Sequence, residues 1–152
     1  MNKLACAIVI LPMLMLVACA TQRPQLGVSD HKLAPCPSPP RCVSSQAPIP
    51  DVNHTIPGFI PIISPADAWP KLVEIVRTMP RTQIVDEQPN YLYAEVTTPI
   101  MRFVDDFELY YDEDSYIIDV RSSSRIGYWD GGLNRDRVEN FRVQLREAGV
   151  VR

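Results

Sequence analysis

"FVDDFELYYDEDSYIIDVRSSS", Phe103 to Ser124, decides the fold. Two runs of alternating apolar and polar residues flank the acidic turn Asp112-Glu113-Asp114-Ser115, which is the pattern of a β-hairpin. Placing Tyr111 opposite Tyr116 sets a register by counting back. Leu109 then meets Ile118 and Phe107 meets Val120, giving one apolar face. On the other face Asp106 meets Arg121, an attractive pair, and Glu108 meets Asp119, a repulsive one. Asp105 falls on the apolar face opposite Ser122, where an aspartate is costly unless it is paired or hydrogen-bonded.

Reading outward, "TQIVDEQ" (Thr82–Gln88) and "NYLYAEVTTP" (Asn90–Pro99) predict one or two more strands. In the second, Leu92, Ala94 and Val96 alternate with Tyr91, Tyr93 and Glu95. "SPADAWPKLVEIVRTMPR" predicts a helix in which Trp69, Leu72, Val73, Val76 and Met79 recur at helical spacing. Ser64 is an N-cap with Pro65 at the first helical position, although Pro70 makes Asp67 an alternative start. "NRDRVENFRVQLREAG" predicts a second helix, with Asn134 as N-cap, Val138, Phe141, Leu145 and Ala148 as the buried stripe, and Gly149 as C-terminal cap. Arg135 and Glu139 have the spacing of an ion pair within that helix. The expected class is α+β. It comprises a small antiparallel sheet of three to four strands with two helices on one face, preceded by a Pro-rich extended arm.

The first 18 residues read as a lipoprotein signal peptide. Lys3 is their only charge, and the apolar run from Leu4 to Ala18 is shorter than the roughly 20 residues of a membrane-spanning helix. Leu16-Val17-Ala18-Cys19 resembles the lipobox of bacterial lipoproteins, which implies cleavage before Cys19 and lipidation of its sulfur. Ala20 and Thr21 follow where an aspartate would retain the protein. By that resemblance the expected location is the cell envelope, anchored by lipid and sorted to the outer membrane, facing the periplasm. Residues 19–32 read as a flexible tether, residues 33–64 as the proline-rich arm and residues 65–152 as the α+β domain. Cys6 leaves with the signal and Cys19 takes the lipid, so Cys36 and Cys42 remain. In an oxidising envelope these two are expected to form a disulfide. Their spacing fits neither a zinc pattern with His31 and His54 nor a redox motif.

The chain's formal net charge of −3 and its three lysines exclude a basic nucleic-acid footprint. Chemistry concentrates in "VRSSSRIGYWDGGLNRDRVE" (Val120–Glu139) and the aspartates across the hairpin. The candidate binding residues are Asp105, Asp106, Arg121, Ser122, Ser124, Arg125, Asp130, Asn134 and Arg137. Arginines, close-approach glycines and a helix N-terminus together suit an anion such as phosphate or carboxylate. The same residues also suit a structural network in which aspartates neutralise arginines, for example Arg125 with Asp105 or Asp130. The domain has no histidine, so a serine nucleophile lacks a base. Asp105 and Asp106, adjacent on a strand, point to opposite faces and do not share a metal. No cofactor or metal is implied. The reading is a non-enzymatic binding or accessory module for an envelope protein or an anionic ligand. A hydrolase using Asp105 or Asp106, and a purely structural envelope protein, are the alternatives. Tyr128 and Trp129 are candidates for contact with a membrane surface.

Three stretches also carry a family resemblance: "LAPCPSPPRCVSS" (Leu33–Ser45), "FVDDFELYY" (Phe103–Tyr111) and the block Val120–Glu139. They resemble the signature blocks of domain of unknown function 1499, over nearly all of Leu33–Leu145. The family's first block reads Cys-Pro-x-Ser-Pro-Asn-Cys; here Pro39 stands for the serine and Arg41 for the asparagine. The resemblance implies that the aspartate and arginine blocks matter, and it implies no established activity.

Overall fold

The computed structural model describes residues 22–152. The signal peptide and Cys19 lie outside the described residues. The hairpin is present and forms the middle of a five-stranded antiparallel sheet. Its strands are β1 (Cys42–Ser44), β2 (Thr82–Glu87), β3 (Tyr91–Thr97), β4 (Val104–Asp112) and β5 (Ile117–Ser124), in the order β1-β5-β4-β3-β2. Helices α1 (Pro65–Thr78) and α2 (Leu133–Glu147) cover one face. The sheet therefore has one strand more than the alternation suggested. β1 is three residues long and sits at the edge against β5, so it is too short to display a period.

The hairpin register differs from the expected one by two residues. Tyr111 opposes Ile118, Leu109 opposes Val120, and Glu108 opposes Arg121. The loop sits one residue later on both strands: the Tyr116 amide donates to the Asp112 carbonyl, and Tyr116 takes a positive φ of 58° outside the ladder. A shift of two preserves which face each residue points to, so the apolar face survives while every cross-strand pair changes. Glu108 gains an arginine in place of a repulsive aspartate. Asp106 now opposes Ser123, and Asp105 opposes Ser124.

The core lies between the sheet and the helices. Leu92, Ala94, Val96, Phe107, Leu109, Ile118 and Val120 meet Leu72, Val76, Val138, Phe141 and Leu145. Phe141 is central, edge-on to both Phe59 (5.6 Å) and Phe107 (5.4 Å). The arm contributes Ile56 and Phe59 to this core. It is held at Gly58, where a Cβ would come within 2.7 Å of Ile117 Cγ2, and Phe59 pairs with Ile118 through both backbone bonds. Arg142 donates to the carbonyls of Pro57 and Gly58 and stacks over the Phe59 ring at 4.5 Å.

Helix α1 begins as the sequence indicates: Ser64 Oγ accepts the Asp67 amide at 3.2 Å, with Pro65 at the start and Pro70 inside. Helix α2 begins two residues earlier than expected. Gly132 is its N-cap, with a φ of 84° that favours glycine. Asn134 is thus inside the first turn and fully buried. The capping acceptor is Asp130, which takes the amides of Gly132 (3.0 Å) and Asn134 (2.8 Å).

The second face of the sheet is covered too. Residues 22–32, read in the sequence as part of the tether, lie across it together with Leu33, the first residue of the arm. Leu26 and Leu33 pack on Tyr91, Tyr93 and Tyr110, and Arg23 pairs with Glu95 at 2.7 Å. The tyrosines of β3 supply apolar area on the face turned away from the helices, and that area binds the incoming chain. The Cys36–Cys42 disulfide is present.

Candidate functional site

Asp105 and Asp106 divide the candidate residues between the two faces of the sheet. On the helix face, Asn134 is a hub. Its Nδ2 donates to Asp130 Oδ2 (2.8 Å), Ser124 Oγ (2.9 Å) and the Arg41 carbonyl (3.0 Å). Its Oδ1 accepts from Ser122 Oγ (2.7 Å) and from Arg137. Arg137 donates also to Ser122 Oγ (2.8 Å) and pairs with Asp105 Oδ2. Asp105 is fully buried, and its Oδ1 has no partner among the described residues.

Beside this hub opens a cleft of about 390 Å³ between the β3–β4 loop (98–103) and the β5–α2 loop (126–132). Its wall is apolar: Ile100, Met101, Phe103, Ile126 and Trp129 line it, with Asp105 and Ser124 at the base. At the helix N-terminus Asp130 already takes the amides of Gly132 and Asn134, and its carboxylate occupies the place of an incoming anion. That removes the helix-end anion site expected from the sequence. Arg135 is likewise unavailable: it donates to the carbonyls of Val52, Asn53 and Thr55 instead of pairing with Glu139.

On the arm face, Arg125 holds Asp106. Its Nε lies 3.0 and 3.2 Å from the two carboxylate oxygens, and its Nη2 reaches Asp106 (2.7 Å), Glu95 (2.6 Å) and the Tyr93 hydroxyl (2.8 Å). Arg125 therefore pairs with neither Asp105 nor Asp130, the partners suggested by the sequence. Tyr93 donates to Asp106 at 2.6 Å. Further along β4, Glu108 is fully buried and accepts from Arg121 (2.9 Å) and from the Tyr91 hydroxyl (2.9 Å). Burial pushes the Glu108 carboxyl above its ordinary range, and Arg121 opposes that shift. Glu95 goes the other way. Arg23 first, and Arg125 with it, hold Glu95 down to about 2, against an ordinary value of 4.5. Despite partial burial, which works against its charge, the bonds to Asp106 and Glu95 raise the Arg125 pKa.

The Glu95 depression has a pH signature. A carboxyl whose folded pKa lies below its unfolded one contributes stability above the unfolded value, and loses it as pH falls through the folded one. The window is thus from about 4.5 down to about 2. Glu95→Gln is expected to flatten the fall in melting temperature across that window relative to the wild type. Thermal denaturation at stepped pH measures it, and parallel profiles would show that Glu95 carries no such linkage.

A second cavity, about 380 Å³, lies between the arm and this face. Arg41, Arg121, Ser123 and Arg125 line it together with Gln22 and Cys36. Two of its arginines carry donors with no acceptor. Arg121 Nε and Arg41 Nε are both buried and unpartnered among the described residues. The four arginines around it, Arg23, Arg41, Arg121 and Arg125, face three carboxylates, Glu95, Asp106 and Glu108, so one positive charge is left over. A larger cavity, about 820 Å³, lies elsewhere, between residues 25–32 and the arm, where His54 and Asp51 are already paired at 2.6 Å. On the opposite end of the sheet His31, Asp112 and Asp114 come within ligand distance of one another at the surface.

Of the sequence candidates, Asp105, Ser122, Ser124, Asp130, Asn134 and Arg137 are brought together on the helix face, and Asp106, Arg121 and Arg125 on the arm face. Tyr91, Tyr93, Glu95, Arg23 and Arg41 were not among them. The alternation of β3 already placed Tyr91, Tyr93 and Glu95 on one face, which was the available signal. Nothing in the sequence pointed to Arg41 beyond its standing where the family has asparagine.

An α+β domain with an arm stapled across its second face, and an aspartate and an arginine-rich block meeting on its central hairpin, is the class defined here. Residues 32–145 match the family described as protein of unknown function (DUF1499), and the chain belongs to that family. No curated protein and no solved structure matches the chain.

Proposed function

We propose that this chain is a lipid-anchored lipoprotein of the bacterial envelope whose domain binds a small anion without transforming it. The lipobox at Leu16–Cys19 supports the anchor. The observation that carries the binding role is the cavity lined by Arg41, Arg121 and Arg125, in which the Arg41 guanidinium has no hydrogen bond and no ion pair among the described residues. An anionic oxygen is the natural acceptor for guanidinium groups that meet fewer carboxylates than their own number. Phosphate and carboxylate share that chemistry. Asp105 and Asp106 are each locked to an arginine and nearly or fully buried, which favours binding over acid–base catalysis.

Arg41 offers the clean test, because its side chain makes no hydrogen bond among the described residues while its backbone carbonyl holds Ser124 and Asn134. Arg41→Ala keeps those backbone bonds. Calorimetric titration of the wild type with inorganic phosphate, and separately with succinate, is expected to show binding by one of them. Arg41→Ala is expected to weaken it about ten-fold or more, with an unchanged melting temperature. Wild-type protein that binds neither probe at millimolar concentration, or a variant that binds as well, would sink the reading.

A further inference from the structure

Six exposed apolar side chains cluster at one end of the molecule, on two adjoining loops. Ile100 is 86% exposed, Tyr128 75%, Trp129 70% and Met101 65%, with Phe103 and Leu133 beside them. The loops share the walls of one cleft, so they form a single patch. Soluble surfaces rarely concentrate large apolar residues in this way without an occupant. Arg102 lies in the same loop, exposed and in no ion pair among the described residues.

The position of the incoming chain says what the occupant is. Gln22, Pro24 and Leu26 border the cavity beside Ser124 and Arg125, and Arg23 is fixed to Glu95 at the same end of the sheet. That end is where β3 finishes, β4 starts and β5 finishes, and the two apolar loops project from it. From Cys19 to Gln22 is three residues, a reach of about 10 Å at full extension. Arg23, Leu26 and Leu33 tie residues 22–33 to the sheet.

We propose that the loop end, Ile100–Phe103 together with Tyr128 and Trp129, rests in the interfacial layer of the lipid bilayer. The inference rests on the lipid anchor at Cys19 and goes beyond it. An anchor this close to a docked chain holds the domain against the membrane, with this end inward. Tryptophan and tyrosine at the tip, flanked by an arginine, are the residues that interfaces favour. Among the described residues no helix is long and apolar enough to cross a membrane, so the contact is peripheral.

Trp69 and Trp129 are the two tryptophans of the chain, so Trp69→Phe leaves Trp129 as the single reporter. The lipidated variant, extracted from membranes, is reconstituted in phosphatidylethanolamine–phosphatidylglycerol vesicles with or without brominated acyl chains. Trp129 emission is expected to shift to the blue and to be quenched about two-fold by brominated lipid, while staying shielded from aqueous iodide. Ile100→Cys, labelled with a polarity-sensitive dye, reports on the other loop and is expected to respond in parallel. Palmitate labelling of the wild type and of Cys19→Ala in cells reads the anchor itself. Labelled, membrane-bound protein whose Trp129 remains open to iodide and untouched by brominated lipid overturns the docking and leaves the anchor standing. Absence of label from the wild type overturns both. Shielding of Trp129 in lipid-free protein that grows with protein concentration assigns the patch to a second copy and overturns the bilayer contact.

Discussion

Glu108→Ala is expected to remove about 3–5 kcal/mol of stability, a large part of what a domain this size has. Glu108 has no solvent exposure, and the Arg121 side chain that it neutralises is 8% exposed. Truncation strands a guanidinium in the interior and takes the acceptor from the Tyr91 hydroxyl at the same time. Most of the loss comes from what is left unpaired, not from the net worth of the pair. The burial that raises the Glu108 pKa says the same: its charge is tolerated because Arg121 is there. Urea denaturation of Glu108→Ala, Arg121→Met and the double variant Glu108→Leu/Arg121→Met separates the two contributions. The double variant is expected to recover most of the stability lost by Glu108→Ala. A single-variant loss below about 1 kcal/mol would place Arg121 in contact with water or another acceptor and sink the account.

The same pair shows how far the sequence could be read. Alternation assigned every residue of the hairpin to its correct face, because face depends only on parity along the strand. It did not assign partners, because those depend on where the turn closes, and a two-residue slip is invisible to hydrophobic pattern. So Glu108 was set against Asp119, whereas Asp119 accepts from Ser45 (2.6 Å) and Gln46 (2.8 Å) of the arm. The disulfide was legible from cysteine counting, and both helices from periodicity and capping. The docking of residues 22–33 was not, because their apolar residues are few, show no period, and meet tyrosines far away in the sequence. The grouping of the candidate residues was not legible either. They were read as one constellation, and Asp105 and Asp106 divide them between two faces.

Asn134 holds the helix-face group to the arm, and Asn134→Ala is expected to cost about 3 kcal/mol, since each buried polar group left unmade is worth about 1–3. The amide spans five partners from four segments. It touches Ser122 and Ser124 on β5, Asp130 in the loop, Arg137 on its own helix and the Arg41 carbonyl beside the disulfide. Alanine keeps the backbone amide on Asp130 but leaves the Arg41 carbonyl with only the Ser124 amide, and it deprives Arg137 of one acceptor. Asn134→Asp is a sharper control. It restores the acceptor for Ser122 and Arg137 but sets an oxygen against Asp130 and the Arg41 carbonyl, so it is expected to rescue nothing. Urea unfolding gives the magnitude, and proteolysis of the 33–47 segment reports where the loosening occurs. Since the Arg41 side chain lines the anion cavity and its carbonyl is bound to this hub, Asn134→Ala is also expected to weaken phosphate or succinate binding, although Asn134 is not one of the residues lining that cavity. Full stability in Asn134→Ala would mean that the serines and Asp130 close the gap by themselves. Lost stability with unchanged anion affinity would mean that Arg41 is placed by the disulfide alone. Ser123 and Ser124 of β5 both border the anion cavity, and Ser124 also touches the hub, so the geometry of one face is set by hydrogen bonds made on the other.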